Sequence, residues 1–261
     1  YSWIRLWGSV GFIVAVLIVG ALLDLLPPAS LPWMCLVTLL AILGCSFYVP
    51  EESSHHQAKE SPPVAEILAL PHVRALFVSC FAMTAAHGAL NIFYTLYLDA
   101  HGVSKTTTGI LWTLGVLAEI AVFLVMAKAM RRFDLRRILL VSLVAAVLRF
   151  LMIGFGVGSM AMLVLAQLLH GLTFGACHAA AIAAINRWFV GATRGRGQAL
   201  YSSVAFGAGG LVGGLLSGWL WDRVGGEVTF AISSLFALAG LLVVARWIRA
   251  ADVGEIAGSR V

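Results

Sequence analysis

Residues 51–72 read EESSHHQAKESPPVAEILALPH, the longest polar connection in an otherwise apolar chain. The tract contains proline, follows Pro50 and is too polar to enter a bilayer, so it interrupts helix and divides the sequence. On its N-terminal side lie two apolar runs, roughly 4–24 and 31–48. On its C-terminal side lie six, roughly 73–98, 107–127, 138–157, 160–186, 198–221 and 228–246. Each approaches the ~20 residues that a helix rising 1.5 Å per residue needs to cross the hydrocarbon core. The pattern predicts an all-α polytopic membrane protein with about eight transmembrane helices. Its expected divisions are a helix pair in 1–48, an interdomain linker in 49–72, and a six-helix bundle with its tail in 73–261.

Composition agrees. Of 261 residues, 61% are hydrophobic and 11% charged, against about a quarter charged in soluble domains. The lipid bilayer is therefore the expected surrounding. The net charge of +5 is dispersed among short loops, which argues against a nucleic-acid partner. Cys35, Cys45, Cys80 and Cys177 fall inside the spans with no metal-type spacing and read as small packing residues. His55 and His56 stand in the polar tract without a further ligand nearby, so neither a metal site nor a cofactor is expected. The chain starts at Tyr1, close to its first span, and the expectation is a fragment lacking its N-terminal part.

Loop charges alternate, and Lys and Arg favour cytoplasmic loops. Positive charge collects at Lys59 and Arg74, at Lys128, Arg131, Arg132, Arg136 and Arg137, at Arg187, Arg194 and Arg196, and at Arg246, Arg249 and Arg260. The intervening connections hold only Lys105 and Arg223. The first helix is therefore expected to start in the cytoplasm near Arg5, and the C-terminus to end there.

Ionisable residues at bilayer depth are costly and usually face a protein interior or an aqueous cavity with a partner. Here they are Arg5, His87, Glu119, Arg149, His170 and His178. Counting from the outer ends, Glu119 lies about 12 residues deep, Arg149 about 8 and His170 about 10, one level to within several ångströms. Glu119 and Arg149 are thus expected to approach each other, directly or through water. Two readings of that pair stand: a proton-carrying carboxylate, or a buried ion pair that fixes helix packing. His87, Asn91 and Tyr94 form a polar stripe at helical spacing, as do Gln167, His170 and Thr173. Both stripes suit a water-accessible cavity, though a lone histidine on an apolar helix also serves as a packing residue. The glycines of FGAGGLVGGLLSG, residues 206–218, fail the dinucleotide spacing and read as close helix packing.

The two-plus-six arrangement around a long linker resembles the last two-thirds of a twelve-helix major facilitator transporter, helices 5 to 12. YSWIRLWGSVGF looks like the start of the fifth helix in the phenylpropionate permease branch, which is similar to the lactose and nucleoside proton symporters. AAHGALNIFYTLY, LWTLGVLAEIAVF, VLRFLMIGF and LLHGLTFGACHAA resemble its seventh to tenth helices. AKAMRRFDLRR resembles a degraded form of the superfamily's basic loop between helices eight and nine. The resemblance implies a bacterial inner-membrane carrier, not an enzyme, that takes up a small aromatic carboxylate such as 3-phenylpropionate with protons by alternating access, as a monomer when full-length. It also implies that Arg5, Arg149 and His170 are functional. Sugar symporters keep a glutamate one turn after that histidine, where this chain has Thr173, so Glu119 becomes the substitute carboxylate for proton coupling, together with His170. Arg5 and Arg149 would attract the substrate carboxylate, and His87, Asn91, Tyr94 and Trp112 would line its pocket. Sugar or nucleoside symport with the same coupling is the alternative. An intramembrane enzyme using His and Glu as acid and base lacks a nucleophile beside any histidine, and a non-functional fragment is the remaining rival.

Overall fold

A computed structural model describes residues 63–249 and 26–48 continuously, and before them Trp7, Gly8, Val10, Gly11, Val14, Ala15, Ile18, Val19 and Leu22. Arg5, most of the polar tract and the last twelve residues lie outside the described residues. The chain divides into two compact units, residues 3–59 and 60–261. The first contributes helix α1 (Leu31–Ser46), opened by Pro32 and followed by a turn at Phe47 and Tyr48.

In the second unit, α2 (Val64–Ala69) is a short helix inside the polar tract, where only irregular chain was expected. Pro63 precedes it and VAEILA is a run of adequate helix formers; Ile67 buries itself in the core. Next come α3 (Pro71–Ala86), α4 (Gly88–Ala100), α5 (Lys105–Arg132) and α6 (Leu135–Gly156). Then α7 (Met160–Leu168), π-helical turns over Gly171–Ala176 and α8 (Cys177–Trp188) form one span, and α9 (Thr193–Tyr201), π-helical turns over Ser202–Gly209 and α10 (Gly210–Trp247) complete the chain. In hydrocarbon every backbone polar group must be satisfied within the segment, which leaves helix as the solution for such apolar runs.

Local chemistry sets the ends. Ser104 Oγ accepts from Thr107 N at 3.1 Å to start α5. Asp134 Oδ1 accepts from Arg137 N at 2.7 Å to start α6, and Asp134 also pairs with Arg137 Nε at 3.1 Å. Both are side-chain N-caps.

Thr193–Trp247 is 55 residues long, about 80 Å if straight against about 30 Å of hydrocarbon. It crosses twice. Gly225, at φ +77° and ψ 171°, leaves the helical region in a conformation that suits glycine. Gly213 then packs on the backbone of Ala85, while Gly240 stands 3.3 Å (from the position a Cβ would take) from Ser79 O and from Ala82 Cβ. A straight helix would hold those two glycines about 40 Å apart, yet both meet the same part of α3. The two spans expected at 198–221 and 228–246 are therefore the two arms of this hairpin, and the unit has six crossings.

The connections gather at two ends. At one, Tyr97 Oη donates to Gly154 O at 2.6 Å, and Trp221 and Phe230 pack on the same tyrosine. At the other, Trp188 meets His72 edge-on, Phe189 meets Phe77, and Arg136 Nε donates to Ile248 O at 2.6 Å. Large apolar residues such as Leu117, Leu124 and Val125 are exposed on α5, whose opposite face buries Gly115, Glu119 and Phe123. Such an apolar exterior around a polar seam is what lipid solvation selects.

Candidate functional site

Arg149 of α6 is fully buried. Its Nε donates to Ala166 O at 2.9 Å, Nη1 to Thr173 Oγ1 at 3.1 Å and to His87 Nε2 at 3.2 Å, and Nη2 to Gln167 Oε1 at 3.4 Å. All four acceptors are neutral. Guanidinium carries five N–H groups, so the second Nη2–H has no acceptor among the described residues. Ala166 O is available because the chain leaves regular α-helix after Leu168; the wider π turns that follow bring Thr173 to the same guanidinium. Such turns recur at functional sites.

His87 sits where the span 71–100 breaks between α3 and α4. Its Nδ1 bonds Met83 O at 2.8 Å. A carbonyl only accepts, so Nδ1 carries the proton and Nε2 is left as the acceptor for Arg149. Gly88, next in sequence, lies against the backbone of Gly213 so closely that no Cβ fits. The break is thus wedged between α6 and α10.

Glu119, on the buried face of α5, pairs with His170 Nε2 at 3.7 Å. Gly115, Ala118 and Glu119 of α5 pack on Gln167, Gly171 and Gly175, and a Cβ at Gly171 would stand 2.5 Å from Ala118 O. Small residues bring the carboxylate to the histidine. The rings of His170 and His87 lie 6.2 Å apart, so Glu119 and Arg149 are linked in the order Glu119, His170, His87, Arg149. The expected direct approach of Glu119 to Arg149 does not take the form of a hydrogen bond: those of Arg149 go to Ala166, His87, Thr173 and Gln167.

The remaining expected residues divide. Tyr94 is buried and meets Trp112 edge-on at 5.4 Å, and Trp112 Nε1 donates to Thr95 Oγ1 at 3.2 Å. Asn91 is exposed although it lies one turn before the buried Tyr94 on α4; at a helix break the stripe it shares with His87 is not straight. His170, Phe174 and His178 stack in sequence with nearly parallel rings, and His178 Nδ1 bonds Tyr201 Oη at 2.8 Å. Gln167 and Thr173 were visible in sequence only as stripe neighbours of His170; the structure makes both ligands of Arg149. Cys80 and Cys177, expected as separate packing residues, are buried with their thiols adjacent, whereas Cys35 and Cys45 are exposed.

Charged groups buried between the helices of a multi-pass membrane protein mark a functional site. The family model described as the MFS_1 like family matches residues 1–232, and the chain belongs to that family of major facilitator transporters rather than to an enzyme family. It is 32% identical over 254 residues to a probable 3-phenylpropionic acid transporter of Escherichia coli K12, covering 93% of this chain and 64% of that protein. It is 25% identical to a maltose permease of Geobacillus stearothermophilus (93% and 62% covered) and 28% identical to the putative nucleoside transporter YegT of Escherichia coli K12 (85% and 55%). The chain thus spans under two-thirds of the length of these relatives. A crystal structure of a mutant of the nucleoside transporter NupG superposes with a TM-score of 0.72 at 18% identity, covering 94% of this chain and 67% of that one, which establishes the fold.

Proposed function

We propose that the full-length protein carries a small aromatic carboxylate of the 3-phenylpropionate type, coupled to protons, by alternating access across the bacterial inner membrane. The observation that carries this reading is Arg149: a buried guanidinium whose four acceptors are all neutral. A buried charge without a counter-charge is expensive, and a substrate carboxylate would supply it. The 32% identity to a probable 3-phenylpropionic acid transporter points the same way. Glu119 and His170 are the proposed proton carriers, His87, Tyr94 and Trp112 the pocket wall, Asn91 a lining residue on sequence grounds, and Arg5 a second anchor on the same grounds. Alternating access follows the general scheme of bundles rocking about a midplane site. Lys and Arg distribution supports a cytoplasmic C-terminus.

The test uses full-length protein in proteoliposomes. An inward proton gradient drives 3-phenylpropionate uptake in the wild type; Glu119→Gln loses driven uptake by at least tenfold and keeps substrate exchange. Driven uptake unchanged in the variant removes Glu119 from coupling. The names of YegT and NupG favour a second reading, nucleoside or sugar symport. Uptake blocked by uridine or maltose and indifferent to 3-phenylpropionate selects it.

A further inference from the structure

Buried polar atoms almost always find a hydrogen-bond partner, and each orphan costs about 1–3 kcal/mol. Among the described residues the buried side-chain atoms without one are Tyr94 Oη, Gln167 Nε2, His170 Nδ1 and Ser142 Oγ. The first three belong to residues around Arg149. Gln167 spends its carbonyl on Arg149 Nη2 at 3.4 Å, and its amide nitrogen is left over. The Tyr94 hydroxyl lies beside the Gln167 amide and within electrostatic reach of Arg149, but makes no well-formed hydrogen bond with either. Tyr94 and Gln167 are both essentially inaccessible to solvent. Two orphans and the spare Nη2–H of Arg149 therefore belong to one small, solvent-inaccessible group.

We infer that Gln167 and Tyr94 form, with Arg149, the seat of the substrate's carboxylate, and that Gln167 is its specificity-determining residue. This rests on the proposed reading of Arg149 as a carboxylate anchor. A carboxylate offers two oxygens with about four lone-pair directions and no donor. The Gln167 N–H, the Tyr94 O–H and the spare guanidinium N–H are three donors without a well-placed acceptor among the described residues. One ligand oxygen bridging Tyr94 and Gln167 would satisfy both, while the other meets Nη2. The same set discriminates. A neutral amide or sugar hydroxyl brings donors of its own and supplies no counter-charge to the guanidinium, and mismatched buried groups are what a polar site rejects most strongly. Gln167 acts twice: its carbonyl orients Nη2, and its amide binds. Glutamate in its place would be a permanent internal carboxylate occupying the substrate's role.

The experiment measures thermal unfolding of the purified full-length protein with increasing 3-phenylpropionate, and with 3-phenylpropanamide as the neutral isostere. Wild type is stabilised by the acid and not by the amide. Tyr94→Phe keeps or raises the unliganded midpoint because it removes an orphan, Gln167→Leu lowers it because Arg149 Nη2 loses an acceptor, and both need at least tenfold more acid for the same shift. Gln167→Glu raises the unliganded midpoint and abolishes the response to the acid. Tyr94→Phe and Gln167→Leu variants that leave the acid response intact overturn the inference, since that is how groups with a purely structural role behave. A wild type that responds to the acid beside unchanged variants sinks this inference alone; a wild type indifferent to the acid sinks it together with the carboxylate reading.

Discussion

Thr173 shows how one side chain holds the cluster together. Its hydroxyl accepts from Arg149 Nη1 at 3.1 Å and lies 3.4 Å from His87 Nε2. Thr173→Val keeps the shape and deletes the acceptor, leaving a charged N–H buried. Hydrogen bonds to charged groups contribute about 1.5–3 kcal/mol, so unfolding in a mild detergent should show a loss of that size, and Thr173→Ser should show little. A valine variant as stable as wild type would remove Thr173 from the cluster. At this scale the sequence was partly legible. Counting residues from the span ends placed Glu119, Arg149 and His170 at one level, and the three do gather. The partner of each was not legible, because partner choice depends on rotation about each helix axis, and the break at His87 and the π turns after His170 both alter that rotation without a clear sequence mark.

Among the elements, the glycines of 206–218 have unequal roles. A methyl on Gly213 would overlap the backbone of Ala85, and one on Gly209 would stand 2.7 Å from Phe81 O, whereas Gly207 has only Ser202 O at 3.9 Å. Gly213→Ala forces α10 away from α3 and should cost about 1–3 kcal/mol, the usual range for overpacking. Gly207→Ala should be neutral or slightly stabilising, because alanine loses less conformational entropy in a helix. Comparing the unfolding midpoints of the two variants checks the contrast; equal losses would mean that helix propensity and not contact governs this face. The spacing of small residues announced a close crossing, but not which glycines make it, since that follows from the angle at which α3 and α10 meet. The short helix α2 escaped notice for another reason. Prolines and charges around it suggested a loop, while the burial of Ile67 that stabilises it is a tertiary event.

Across the whole second unit, the six crossings and the two sets of connections follow the apolar runs closely, because in lipid the length and polarity of a segment leave few alternatives. The hairpin at Gly225 was foreseen as two spans, and what sequence could not convey was that both arms share α3. Sidedness can be read by cysteine labelling. In a cysteine-free background, Gly158→Cys lies in a connection expected on the outer side and Gly195→Cys in the first turn of α9, on the side expected to be inner, and neither site meets an atom within 4 Å of a Cβ. A membrane-impermeant maleimide should label the first in intact cells and the second only after permeabilisation; the reverse result would invert the topology. The bond from Arg136 to Ile248 O, joined by a second from Nη2 to Ala245 O at 3.2 Å, also bears on biosynthesis. The partners are 112 residues apart, so the arginine leaves the ribosome long before its acceptors exist. The tie across the opposite end, from Tyr97 to Gly154, spans 57 residues and can form while synthesis continues. The tie from Arg136 is therefore the last contact of its end to form: a nascent chain halted before Ala245 could already bring Trp188 to His72 and Phe189 to Phe77, yet would leave Arg136 without these two carbonyls.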